Sequence, residues 1–125
     1  MKTILVVDDE MKMLNIYKTL LNAEGYNVIE TTDAINANEI LKKEPVDLVL
    51  LDLRMPEIGG NILYDVLQLF HKNIKVLVSS VFHVEKQKKI IRGASDYYDK
   101  SQGVEVLLNK INNLLQSDLK EKSPI

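Results

Sequence analysis

The chain has no cysteine and no tryptophan, and its 16 Lys and Arg residues nearly balance its 18 Asp and Glu residues. Without cysteine it forms neither disulfides nor thiolate metal sites. A net charge of −2 provides no broad basic surface of the kind that binds nucleic acid or membranes. No apolar run approaches the roughly 20 residues that span a bilayer, and no signal-peptide core follows Met1. These absences predict a cytoplasmic protein with no membrane partner.

Two strongly apolar runs each end in aspartate. Residues 4–7 are followed by Asp8 and Asp9, and residues 48–51 are followed by Asp52. Runs this short and this apolar are typical of parallel strands that are buried on both faces. If the two strands are neighbours, three carboxylates meet at one edge of the sheet, and their mutual repulsion favours a bound cation. The sequence therefore predicts a Mg²⁺ site beside a reactive carboxylate.

Strand and helix patterns alternate five times along the chain. The predicted strands cover residues 4–7, 28–31, 46–51, 75–78 and 94–98. This alternation predicts an α/β fold, a doubly wound (βα)5 flavodoxin-like domain with helices on both faces of a parallel sheet. In the strand order 2-1-3-4-5, the first and third strands are adjacent, and ligands bind at their carboxyl ends.

Three further polar residues follow neighbouring strands. Ser79 and Ser80 follow the fourth strand, and Lys100 follows the fifth. A carboxylate that attacks phosphorus forms an acyl phosphate, and such a transfer requires positive charge and oxygen contacts around the phosphoryl group. Mg²⁺, a lysine and a hydroxyl supply these. The residues therefore match the requirements of phosphoryl transfer to an aspartate.

With their flanking sequences, these residues resemble the receiver domain of two-component response regulators, in the CheY-like superfamily. The similarity runs over residues 3–115, and the matching motifs lie at residues 4–10, 50–60, 76–80 and 93–100. The resemblance implies that Asp52 accepts a phosphoryl group from a phosphohistidine of a histidine kinase or histidine phosphotransfer protein. It also implies that Asp9 and Asp52 bind Mg²⁺ with the backbone carbonyl of Arg54, with Asp8 close by or acting through water.

The resemblance implies a switch as well. Lys100 would pair with the phosphoryl oxygens, and Ser80 would be the hydroxyl that moves toward them, with Ser79 as the runner-up. Tyr97 matches the aromatic residue that turns inward when that hydroxyl moves. The chain would signal to a downstream protein target or pass the phosphoryl group on, without direct DNA binding. It would catalyse only its own phosphorylation and slow dephosphorylation, and it would not be an enzyme in the usual sense.

The chain departs from the family pattern after Lys100, where Ser101 replaces the usual proline. A cis bond before a residue other than proline costs roughly 2.5–4 kcal/mol, so we expect a trans bond here. Ser101 is also predicted to cap the last helix. His71 and His83 are predicted to be exposed and away from the acids.

One receiver domain is predicted over residues 1–116, followed by a polar C-terminal tail over residues 117–125. Two other functions remain open. A pseudo-receiver would keep the fold as an interaction module without phosphorylation. A Mg²⁺-dependent phosphohydrolase would use Asp52 as its nucleophile, but such enzymes of the haloacid dehalogenase kind have an aspartate two residues later, where this chain has Arg54.

Overall fold

The computed structural model describes residues 1–53 and 60–121. Within them, five strands alternate with five α-helices, and a short 3₁₀ turn precedes the last helix. The strands are β1 (Thr3–Val7), β2 (Asn27–Thr31), β3 (Leu48–Asp52), β4 (Lys75–Ser80) and β5 (Asp96–Asp99). The helices are α1 (Met11–Ala23), α2 (Ala34–Lys43), α3 (Gly60–Phe70), α4 (Val84–Ile90) and α5 (Val104–Glu121).

The strands form one parallel sheet in the order β2-β1-β3-β4-β5, which confirms the predicted topology. β1 and β3 are buried along their whole length because helices cover both faces of the sheet. Val7 pairs with Leu51, so Asp8 and Asp52 come immediately after the last paired residues of adjacent strands. On the other side of β3, Asp52 itself pairs with Ser79 of β4. The predicted meeting of polar residues at this edge therefore follows from the register.

The alternation of side chains along the strands creates two cores. Leu5, Val49 and Val76 pack with α2 and α3, whereas Ile4, Leu50 and Leu77 pack with α1 and α5. Asp52 and Ser79 continue the series that faces α1 and α5. Ser80 continues the series that faces α2 and α3. The two adjacent serines therefore lie on opposite faces of the sheet.

The ends of all five strands differ from the predicted ones, and those of β3 and β5 differ most. β3 covers Leu48–Asp52 instead of residues 46–51, and β5 covers Asp96–Asp99 instead of residues 94–98. At the start of β3, the Asp47 carboxylate accepts a hydrogen bond from Thr3 N at 2.8 Å. At the start of β5, the Ser95 hydroxyl accepts from Val76 N at 2.9 Å. Side-chain acceptors thus occupy backbone donors where the apolar pattern alone predicts regular pairing.

The C-terminal region also differs in detail. Ser101 lies inside the 3₁₀ turn Lys100–Gln102, which Asp99 caps, so the prediction that Ser101 caps the last helix is wrong. α5 begins at Val104 and continues through residues 117–121, which the sequence pattern assigned to the polar tail. Within the described part of the chain, no helix combines the length and the apolar character needed to cross a membrane.

Candidate functional site

Two buried carboxylates and one ammonium group lie together at the carboxyl edge of the sheet. Asp8 and Asp52 are only 2% and 3% exposed. The Lys100 Nζ atom lies 3.2 Å from Asp8 Oδ2 and 3.7 Å from Asp52 Oδ1. Because two buried like charges repel strongly in a low dielectric, the lysine lowers the free energy of holding them side by side. The predicted association of Asp8, Asp52 and Lys100 is therefore present in the fold.

Three consecutive carboxylates lead from this buried cluster to the protein surface. Asp8, Asp9 and Glu10 each offer a carboxylate oxygen, and these oxygens lie within 4.8 Å of one another. Asp9 and Glu10 are exposed, and Asp8 Oδ1 accepts a hydrogen bond from Glu10 N at 3.0 Å. An all-oxygen donor set of this charge fits Mg²⁺. The residues therefore suit the ion that the sequence predicts.

The membership of this group differs from the predicted ligand set. Glu10 was not predicted as a ligand, although its position directly after Asp8 and Asp9 was visible in the sequence. Arg54, whose backbone carbonyl belongs to the predicted set, lies outside the described residues, as do the other residues of the segment 54–59.

The two candidate switch hydroxyls have different surroundings. Ser80 is fully buried, and its hydroxyl accepts a hydrogen bond from Phe82 N at 3.1 Å. Ser79 is 1% exposed, and its hydroxyl has no hydrogen-bond partner of normal geometry among the described residues. Its register with Asp52 places it on the same face as that carboxylate.

Tyr17 of α1 lies close enough to Asp8 and Asp52 for both to raise its pKa, which the sequence did not indicate. It appeared there only as one apolar position of an amphipathic helix. Burial raises the pKa of its hydroxyl well above the ordinary range, and Tyr98, Asp8 and Asp52 raise it further. The Ser79 hydroxyl lies near enough to lower this pKa, although the two groups do not form a hydrogen bond of normal geometry. Tyr17 therefore stays neutral near the two carboxylates.

Tyr97 is held inside the protein. It is 7% exposed and belongs to the core with α2 and α3. Its hydroxyl donates to Ile91 O at 2.6 Å and accepts from Ala94 N at 3.2 Å. Ser80 lies on the same face of the sheet as Tyr97. The predicted switch pair therefore shares one face, separate from that of Ser79.

The turn that carries Lys100 is fixed by its neighbour Asp99. No cis peptide bond occurs among the described residues, so the bond to Ser101 is trans, as expected. Asp99 Oδ1 accepts from Ser101 N at 2.9 Å and from Ser101 Oγ at 2.8 Å. These bonds to Ser101, followed by a smaller contribution from His83, hold the pKa of the Asp99 carboxyl below its usual value. Capping by Asp99 thus stabilises a turn in which the family usually has proline.

His83 has a contact that the sequence did not indicate. Its side chain is 91% exposed, as predicted, but its Nδ1 atom lies 3.1 Å from Asp99 Oδ2. His71, at the opposite end of the sheet, is partly buried, so the prediction that it is exposed is wrong. A contact between two loops leaves no periodic signal in the sequence.

The family described as "Response regulator receiver domain" has a sequence model that matches residues 4–112. The chain belongs to this family. Response regulator SaeR of Staphylococcus aureus strain USA300 is 32% identical in an alignment of 121 residues that covers 92% of this chain and 51% of SaeR. The receiver domain therefore spans about half the length of the curated relatives it matches.

Solved structures of response regulators are also similar to this receiver domain. A CheY-like receiver domain from Methanospirillum hungatei has 27% identity and a TM-score of 0.89, covering 97% of this chain and 98% of that one. Response regulator TrrA from Thermotoga maritima, crystallised with Mg²⁺ and BeF, has 29% identity and a TM-score of 0.84, covering 91% and 99%. The chain is thus a CheY-like receiver domain of a two-component system.

Proposed function

We propose that this receiver domain is a phosphoacceptor switch in which Asp52 accepts a phosphoryl group from the phosphohistidine of a histidine kinase or histidine phosphotransfer protein. The observation that carries the proposal is the buried Asp52 carboxylate with the Lys100 ammonium 3.7 Å away, beside Asp8. In the transfer, an Asp52 oxygen attacks phosphorus. The bond between phosphorus and the histidine nitrogen breaks, its electron pair returns to the imidazole, and Asp52 becomes an acyl phosphate.

The residues around Asp52 would divide the work of charge stabilisation. Asp8, Asp9 and Asp52, with the Arg54 carbonyl, would hold Mg²⁺. The exposed Glu10 would add a further carboxylate beside Asp8 and Asp9. When bound, this ion neutralises the charge on the phosphoryl oxygens and helps to orient them. Lys100 would supply a second positive charge for the phosphoryl oxygens, because its ammonium already lies close to both buried acids.

Phosphorylation of wild-type protein is the experiment that separates this proposal from its rivals. Incubation with acetyl phosphate and Mg²⁺ should add the mass of one phosphoryl group, and beryllofluoride should bind in its place. Both effects should disappear in a chelator. No mass change and no beryllofluoride binding would favour a pseudo-receiver. Continuous turnover of a small phosphate ester by wild type, lost in Asp52→Asn, would favour a phosphohydrolase.

Ser80 is proposed as the switch hydroxyl, because it shares a face of the sheet with Tyr97, and Ser79 remains the alternative. Ser80→Ala should still bind beryllofluoride, but the amide signals of Tyr97 should no longer shift on binding in NMR spectra. The matched variant Ser79→Ala keeps the Ser80 hydroxyl and should retain that shift. The reverse pattern would assign the switch to Ser79, whose buried hydroxyl lies in register with Asp52.

The proposal includes the setting in which the switch acts. We place it in the cytoplasm, with the receiver domain over residues 1–116 and the segment 117–125 after it. Its output would be contact with a downstream protein target or onward transfer of the phosphoryl group, without direct DNA binding. The near balance of 16 basic and 18 acidic residues supports a protein partner over a nucleic-acid partner.

A further inference from the structure

One carboxylate, that of Asp99, contacts two separate loops at the site. We name Val81–His83, which follows Ser80, the β4–α4 loop, and Lys100–Gln102 the lysine turn. Asp99 Oδ1 accepts from Ser101 N at 2.9 Å and from Ser101 Oγ at 2.8 Å, in the lysine turn. Asp99 Oδ2 lies 3.1 Å from His83 Nδ1, in the β4–α4 loop. Each oxygen of the carboxylate thus serves a different loop.

A second side chain connects the β4–α4 loop to the same end of β5. Gln87 of α4 is fully buried, and its Nε2 atom donates to Phe82 O at 2.8 Å and to Tyr98 O at 2.9 Å. The loop is therefore attached to β5 at two points. The Gln87 connection is buried, whereas the His83 connection is exposed to solvent and is the weaker of the two.

These contacts link the loop that follows the proposed switch hydroxyl to the turn that carries Lys100. Ser80 directly precedes the β4–α4 loop, and Lys100 begins the lysine turn. Resting on the function proposed above, we infer that Asp99 and His83 are positioning residues that make the Ser80 hydroxyl and the Lys100 ammonium move as one unit. The proline usual after the lysine lacks an N–H, so it could not donate the backbone bond by which Ser101 binds Asp99.

The order of strengths within this link supports the inference. The bonds from Ser101 contribute more than His83 to the lowered pKa of the Asp99 carboxyl. Asp99 also accepts two hydrogen bonds from Ser101 but has one contact with the exposed His83 side chain, so we expect the contact with His83 to break first. Because the His83 side chain is 91% exposed, its removal leaves the core intact. The link can thus be tested without unfolding the protein.

The test compares beryllofluoride affinity in the presence of Mg²⁺ for His83→Ala, Asp99→Ala and the double variant. His83→Ala should weaken binding about twofold to fivefold, the scale of an exposed pair. If the two residues act through one link, the double variant should bind as Asp99→Ala does, because no link is left to lose. His83→Asn keeps a donor near the Nδ1 position and should restore binding. His71→Ala, at the opposite end of the sheet, is the matched control and should leave affinity unchanged.

A second readout requires no ligand. In NMR spectra of the ligand-free protein, His83→Ala should shift the amide signals of Ser101 and Gln102, whereas His71→Ala should not. Unchanged signals, or beryllofluoride affinities that fall independently in the double variant, would overturn the inference. Failure of wild type to bind beryllofluoride would instead reject the proposed function and with it the positioning role, and the Ser101 and Gln102 signals would still show whether the two loops are linked.

Discussion

Replacing Asp52 with asparagine should abolish phosphoryl uptake from acetyl phosphate and leave the folded structure intact. An amide is not a nucleophile toward phosphorus, so no acyl phosphate can form at this position. Asparagine has nearly the shape of aspartate, so it fills the same buried position beside Ser79 of β4. The ion pair of Lys100 with Asp8, at 3.2 Å, does not depend on the replaced group. We therefore expect a stable protein that gains no phosphoryl mass.

The control for this prediction is an acid outside the cluster. Asp65 of α3 is exposed, and Asp65→Asn removes one negative charge without changing the carboxyl edge of the sheet. This variant should take up the phosphoryl group at the wild-type rate. Intact-protein mass spectrometry measures both variants, and thermal unfolding shows whether each is folded. A folded Asp52→Asn protein that still gains one phosphoryl mass would assign the acceptor to another residue.

The fold could be predicted because its strongest signals are local. Residues 4–7 and 48–51 are apolar at every position, which is typical of strands in a sheet covered on both faces, and β1 and β3 are indeed buried throughout. Strand ends were less accurate, because the side chains of Asp47 and Ser95 replace backbone partners there. Hydrophobic periodicity contains no information on such bonds.

The site was predictable in part, for a similar reason. Asp8, Asp52 and Lys100 follow buried strands, so the sheet brings them together. Tyr17 was missed because a tyrosine on the inner face of a helix has the same pattern whether it contacts leucine or a carboxylate. The contact of His83 with Asp99 was missed because it joins two loops, and loop geometry depends on turns that the sequence pattern does not encode.

Removal of the Lys100 ammonium should have the largest effect on stability. The side chains of Asp8 and Asp52 are 3% and 4% exposed, and that of Lys100 is 15% exposed. Lys100→Ala leaves these two buried carboxylates close together without the cation between them. Losing one partner of a buried ion pair costs about 3–5 kcal/mol, so the free energy of unfolding in a chelator should fall by about this amount. Urea denaturation followed by circular dichroism measures the change.

The same variant should respond more strongly to Mg²⁺ than wild type does. A ligand that binds only the folded state at about 100 times its dissociation constant stabilises a protein by about 2.7 kcal/mol. In Lys100→Ala the ion has no ammonium to compete with near Asp8, so Mg²⁺ should recover much of the lost stability. Phosphoryl uptake should persist at a reduced rate, while the amide signals of Ser80 and Tyr97 should no longer respond, since no ammonium group draws the phosphoryl oxygens toward β5.

A lysine in a partly exposed pair provides the control for this last prediction. Lys110 Nζ lies 3.3 Å from Asp96 Oδ1, and the two side chains are 23% and 38% exposed. Because water screens such a pair, Lys110→Ala should cost about 0–1 kcal/mol, and this cost should not depend on Mg²⁺. If Lys100→Ala were as stable as wild type in a chelator, the two carboxylates would not need the lysine for their burial. The ammonium would then serve the phosphoryl group alone, and the electrostatic account of the cluster would be wrong.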